Sequence, residues 1–148
     1  VALFQIERRT LLTAPEAWRR VTDWPRHGAY VPLTKITVDP PAPEPVGPGT
    51  LVVARTGVGR AAFDDPMEIV HWEPATDDTP GSCRLEKRGS VVLGWAEIEV
   101  ERWRGGSRVL WREEARVRGL PRLFDGVTGA AGRWFFGRAV SELLRYPA

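Results

Sequence analysis

Few side chains in this sequence are placed to do chemistry. Glu113 lies in the run Val109-Leu110-Trp111-Arg112-Glu113-Glu114-Ala115. Successive strand residues point to opposite faces, so Val109, Trp111, Glu113, Ala115 and Val117 share one face, and Glu113 is the charge in an otherwise apolar row. A carboxylate there can hold or pass a proton, or bind the polar end of an apolar guest. Lys87 falls on the inward side with Cys83 and Leu85 when Gly89-Ser90 is read as a two-residue turn that pairs Lys87 with Val92. Burying either charge alone costs several kcal/mol, so Glu113 and Lys87 must pair, reach water, or meet a polar group of a ligand. The plainer alternative puts Glu113 near the rim, bonded to a tyrosine, tryptophan or amide, with Lys87 reaching past the sheet end. His71 alternates with Met67 and Ile69, which makes it an inward acid or base, or else a hydrogen-bonded core or edge histidine. Arg55, on a strand with Leu51 and Val53, is a third charged candidate against the alternative of a solvated edge residue.

Other motifs fail on context. Gly57-Val58-Gly59-Arg60-Ala61-Ala62 has the G-x-G-x-x-A spacing, but Phe63-Asp64-Asp65-Pro66-Met67 cannot open the helix that would aim amides at a pyrophosphate, so a hairpin turn is expected. Asp64-Asp65 and Asp77-Asp78 lack the spacing of a calcium loop and read as turn residues. His27 and His71 have no i,i+4 partner, and His27 reads as a surface or capping group on a short helix. Cys83 is the single cysteine, so an internal disulfide and a thiolate metal cluster are both excluded. No G-x-S-x-G stretch occurs. No metal and no cofactor is expected.

The elements that carry these residues follow from periodicity and punctuation. Residues 3 to 12 are strand-like. Thr13-Ala14-Pro15-Glu16 has capping-box spacing, so a helix with Trp18 and Val21 on one face starts there and stops before Pro25. Asp23 can cap a second short helix over Pro25 to Tyr30. A strand at 33 to 38 precedes the proline-rich 39 to 49, an extended surface loop. Strand-like runs at 50 to 56, 62 to 73, 82 to 88, 91 to 103 and 107 to 118 are separated by turn residues and chain as antiparallel hairpins. The segment from Pro121 to about Tyr146 is helical by length and spacing. The fold class is α+β: a curved seven-stranded antiparallel sheet closing on one long C-terminal helix, with two short helices after the first strand.

Length and composition set bounds. At 148 residues the chain fits one domain, expected to span 1–148. Its 21 basic and 19 acidic residues are interleaved, which fits solvated strand faces and excludes the clustered basic patch of a nucleic-acid binder. No apolar run is long enough to span a bilayer, so no stable membrane insertion is expected. The opening Val1-Ala2-Leu3-Phe4-Gln5-Ile6 lacks a basic flank and cleavage site, which gives a cytoplasmic expectation, although Met67 is the only methionine and Val1 need not be the natural terminus.

With this element order, the chain resembles the START-like superfamily, also called the polyketide cyclase and lipid-transport (SRPBCC) group, over nearly its whole length. The resemblance is carried by Ala14-Pro15-Glu16-Ala17-Trp18 within Thr10 to Asp23, by Trp24-Pro25-Arg26-His27 through Val31-Pro32, by Gly49-Thr50 ahead of the third strand, and by the helix from Pro121. It implies a helix-grip fold with a cavity between sheet and long helix. The candidate walls are then Leu85, Ala96, Ile98 and Trp111 from the sheet, Arg55 beside them, and Phe124, Val127, Ala131 and Phe135 from the helix. Phe136, Val140 and Leu143 form a second helix stripe that the same sheet cannot face. Either the helix bends near Gly132 to Gly137, the reading favoured, or the surplus stripe serves a homodimer or membrane contact, or the glycines allow tighter packing. The resemblance implies binding or transport of a small apolar, lipid- or polyketide-like molecule. The alternatives are a cyclase or dehydratase, in which Glu113 or His71 moves a proton while Lys87 or Arg55 steadies an enolate oxygen, and a protein-docking module of the same fold.

Overall fold

The computed structural model describes residues 2–41, 43–119 and 125–145. Strand β1 (Ala2–Thr10) leads into helices α1 (Ala14–Val21) and α2 (Trp24–His27), and a 3-10 turn follows at Gly28–Tyr30. Strands β2 (Thr34–Asp39), β3 (Leu51–Thr56), β4 (Phe63–Glu73), β5 (Gly81–Lys87), β6 (Val92–Trp103) and β7 (Gly106–Val117) precede helix α3 (Asp125–Leu143). The sheet order is β1-β7-β6-β5-β4-β3-β2, every neighbouring pair being antiparallel. Strands β1 and β2 are therefore the two edges, and α1 and α2 carry the chain from one to the other.

Local chemistry sets the helix starts. The Thr13 hydroxyl accepts from the Glu16 amide at 3.3 Å, half of a capping box. The reciprocal bond does not form, because the Glu16 carboxylate is taken by Arg19 and Arg20. Their hydrogen bonds, Arg19 foremost, hold Glu16 down at about 2. Buried Arg20 also donates to the Arg145 carbonyl at 2.8 Å, which fastens α1 to the end of the chain beyond α3. Asp23 stands at the cap position of α2 but makes no capping bond, so Pro25 in the first turn marks that start.

Helix α1 fills one end of the sheet's concave face: Ala17, Trp18 and Val21 are buried with Ile98, Val100 and Val109, and Trp18 meets Trp72 at 5.1 Å. Each such large side chain contributes about 1.5–3 kcal/mol through burial. Helix α3 packs through Phe136, Val140 and Leu143, and Leu144 just after it is buried as well. It runs as one helix from Asp125 to Leu143, without a break at Gly132 or Gly137. A Cβ at Gly137 would meet the Arg8 guanidinium at 2.9 Å, so this glycine brings α3 close to β1, which is the tighter packing that the glycines were expected to allow. Phe136, Val140 and Leu143 form the inner face, so they are no surplus stripe; the large apolar side chain that α3 leaves exposed among the described residues is Trp134. No described helix is long and apolar enough to cross a membrane.

The convex face carries charges in rows. Arg84 bridges Glu86 and Glu97, both at 2.7 Å, and lies over the Trp95 ring, while Arg112 reaches Glu99 at 2.9 Å. These are the interleaved arginines and acids of the sequence, and such solvated pairs contribute little individually. The G-x-G-x-x-A stretch forms a 3-10 turn at Gly59–Ala61 between β3 and β4.

Candidate ligand-binding site

Beyond the end filled by α1, the concave face encloses a cavity of about 300 Å³ between the sheet, α2 and α3. That is the lower end of the range for small-molecule sites. Strand parity supplies its walls. On β7, Trp111 and Glu113 face in; on β6, Ala96; on β5, Leu85 and Lys87; on β4, Phe63, Asp65 and Met67. Helix α3 adds both Phe135 and Phe136, and α2 adds Trp24 and His27.

One charged cluster breaks this apolar lining. The Lys87 Nζ lies 2.8 Å from Asp65 Oδ2 and 3.1 Å from Glu113 Oε1, with all three side chains largely removed from solvent. Glu113 reaches Lys87 across β6, because the intervening residue facing inward is Ala96, paired with Glu113 on one side and Leu85 on the other. Burial acts to lower the Lys87 ammonium, but the Glu113 and Asp65 charges outweigh it and hold the group above its ordinary value. Burial raises Glu113, and Lys87 offsets this only in part, so the carboxyl stays above its usual range. The Trp111 indole favours the charged form only weakly, its N–H making no hydrogen bond to the carboxylate.

A second polar group closes the α2 end. His27 is buried, its Nε2–H donates to the Val21 carbonyl at 2.7 Å, and its ring lies 5.6 Å from Trp24 and 5.2 Å from Trp111. Burial pushes its pKa down to about 4, so at neutral pH the ring is uncharged and Nδ1 is a free acceptor. Among the described residues, six buried side-chain polar atoms lack a partner, and five of them belong to residues lining this cavity: Trp24, His27, Asp65, Trp111 and Glu113. Buried polar atoms are normally paired, so this cavity is where the described residues leave hydrogen-bonding capacity unused.

Several sequence expectations need correction. His71 points outward and is exposed, its Nε2 at 2.9 Å from the Ser82 hydroxyl, because a bulge between Ile69 and His71 reverses the alternation of β4. Arg55 also faces outward, paired with Asp64 at 3.0 Å, since Val52, Ala54 and Thr56 are the inward residues of β3. Ile98 is wholly buried but lies in the core under α1, away from the cavity wall. Ala131 is exposed; at 100° per residue it lies about 140° around α3 from inward Phe136. Phe124 and the Val127 side chain lie outside the described residues. Two cavity residues depart from their sequence reading: Asp65 sits within β4, with Asp64 out and Asp65 in, and His27 is buried, on the same helical face as Trp24 at i,i+3. The strand parity of 62 to 73 already contained the first.

No protein-family profile and no curated protein matches the sequence. Solved structures do match in shape. They include TTHA0849 from Thermus thermophilus (TM-score 0.65, 13% identity, covering 96% of this chain and 91% of that one). NE0264 from Nitrosomonas europaea is similar (0.61, 16%, 96% and 91%), as is Ara h 8.0201 (0.60, 14%, 96% and 97%). The chain has the helix-grip fold. At these identities the likeness speaks for the fold, and function rests on the site.

Proposed function

We propose that this chain binds a small, mostly apolar molecule carrying at least one polar group in the cavity between its sheet and α3, as a carrier or sensor. The observation that carries this reading is the gathering of unpartnered polar atoms around an otherwise apolar cavity. Apolar walls supply affinity, and a few fixed polar atoms supply orientation. Native mass spectrometry of protein purified from its own host tests it: one small molecule is expected to remain bound, and Val92→Trp, which fills the cavity from its wall away from the charged cluster, is expected to lose it while keeping the far-UV circular dichroism. Protein that carries no adduct and takes up no naphthalene-sized compound overturns the reading.

Glu113 supports a second reading, a cyclase or dehydratase in which this carboxyl transfers a proton beside a ligand ketone while Lys87 steadies the oxygen. A carboxyl held above its usual range beside a buried ammonium suits that role. Glu113→Gln is then expected to abolish turnover of a polyketone with binding nearly unchanged, whereas binding without turnover by the unmodified protein favours the carrier.

A further inference from the structure

The charge count of the cluster narrows the ligand class. Lys87 brings one positive charge to two carboxyl groups, and these are the charged residues lining the cavity among those described. Fully ionised, the set is one charge negative in a space otherwise walled by Trp24, Trp111, Phe135 and Phe136. One proton makes it neutral. Each carboxyl keeps one unpartnered oxygen, but Asp65 takes the shorter contact to Lys87 and a hydrogen bond from it, whereas Glu113 sits at the longer contact and is the more deeply buried side chain, 5% exposed against 14%, so the proton belongs on Glu113. A protonated Oε2 is a hydrogen-bond donor at the cavity wall.

We infer that the cavity selects an uncharged ligand with an oxygen acceptor, a carbonyl above all, which Glu113 holds as a neutral acid, and that it rejects carboxylate ligands. This inference rests on the cavity-binding reading above. A carboxylate guest would meet a cluster whose single cation is already engaged by two acids, and it would drive the set toward uncompensated negative charge. A ketone or ester oxygen accepts from Oε2 and leaves the Lys87–Asp65 pair intact.

The test uses the intact protein and three probes on one frame, chosen because aromatic walls accept naphthalene rings: 2-acetylnaphthalene, 2-naphthoate and 2-naphthylmethylammonium, titrated calorimetrically at pH 7. The ketone is expected to bind at least tenfold more tightly than the naphthoate and more tightly than the ammonium. Glu113→Gln, whose amide also donates, should keep ketone binding within about threefold. Asp65→Asn combined with Glu113→Gln leaves the ammonium unbalanced, and the preference should invert toward naphthoate. Equal or tighter naphthoate binding by the unmodified protein overturns the inference while leaving the cavity reading in place. Tighter ammonium binding overturns it as well, showing both carboxyls ionised. Failure of all three probes to bind removes the cavity reading and this inference with it. The wild-type comparison decides the matter even if the double variant does not fold.

Discussion

Lys87 and Glu113 belong to strands separated by a third, yet their charged ends meet at 3.1 Å over the Ala96 side chain. Lys87 is the only cation that offsets the two carboxyls at the described cavity wall, so the three groups are interdependent. Lys87→Met is expected to destabilise the protein by about 3–5 kcal/mol at pH 8, as removal of one partner of a buried ion set does. Urea unfolding checks this against Lys87→Arg, which keeps the positive charge: an equal loss in both variants would mean that the lysine stem rather than its charge is what matters.

Glu113 and His27 should pull stability in opposite directions with pH. Glu113 is held above its unfolded value, so its protonated form is favoured by folding; the contribution is complete below about 4.5 and is lost as pH rises through the folded value. The stability of Glu113→Gln relative to wild type should therefore increase as pH rises above 4.5. His27 is depressed from 6.5 to about 4, so the unfolded chain binds the extra proton between these values. Stability from a neutral His27 is complete above 6.5 and falls by about 3 kcal/mol as pH drops to 4. His27→Gln should flatten that slope in urea titrations, and an unchanged slope would show that the ring is not kept neutral by burial.

The fold was legible because periodicity and turn residues survive inaccurate registers. The two-residue turn placed Lys87 opposite Val92, while the observed pairing of Glu86 with Trp95 puts Lys87 two residues further along β6. An even shift preserves the face, so Lys87 still points inward. At His71 the irregularity is odd-numbered, and one bulge moved the side chain to the other face. Nothing in Ile69-Val70-His71 announces a bulge. Asp65 and His27 were missed for another reason: paired acids and a histidine on a short helix read as surface groups, and only the strand parity and the Trp24 spacing point the other way.

Cys83 should be chemically silent in the native state. It is buried on β5 between Trp72 of β4 and Ile98 of β6, and burial pushes its thiol up to about 12, so almost no thiolate exists at pH 8. Reaction with a disulfide reagent is expected to proceed only as fast as the protein opens, and to accelerate in urea in step with unfolding. Stoichiometric labelling within seconds in buffer would show that this part of the sheet opens locally.

Two glycines, one on β6 and one on α3, should answer the same substitution differently. Gly94 on β6 has φ +134°, and a Cβ there would collide with the Glu114 carbonyl oxygen of the paired strand. Backbone cannot yield without breaking the β6–β7 ladder, and non-glycine residues in such conformations cost about 1–3 kcal/mol before any collision is counted. Gly137 on α3 would meet only the far end of the Arg8 side chain, which hydrogen-bonds Ser141 at 2.8 Å and can swing away. Alanine in a helix gains about 1 kcal/mol over glycine, which offsets the disturbance. Gly94→Ala is thus expected to lower stability by more than about 2 kcal/mol, while Gly137→Ala stays within about 1 kcal/mol of wild type in denaturant titrations. The reverse order would mean that the approach of α3 to β1, rather than the twist of β6 against β7, is the tighter constraint on the shape of the cavity.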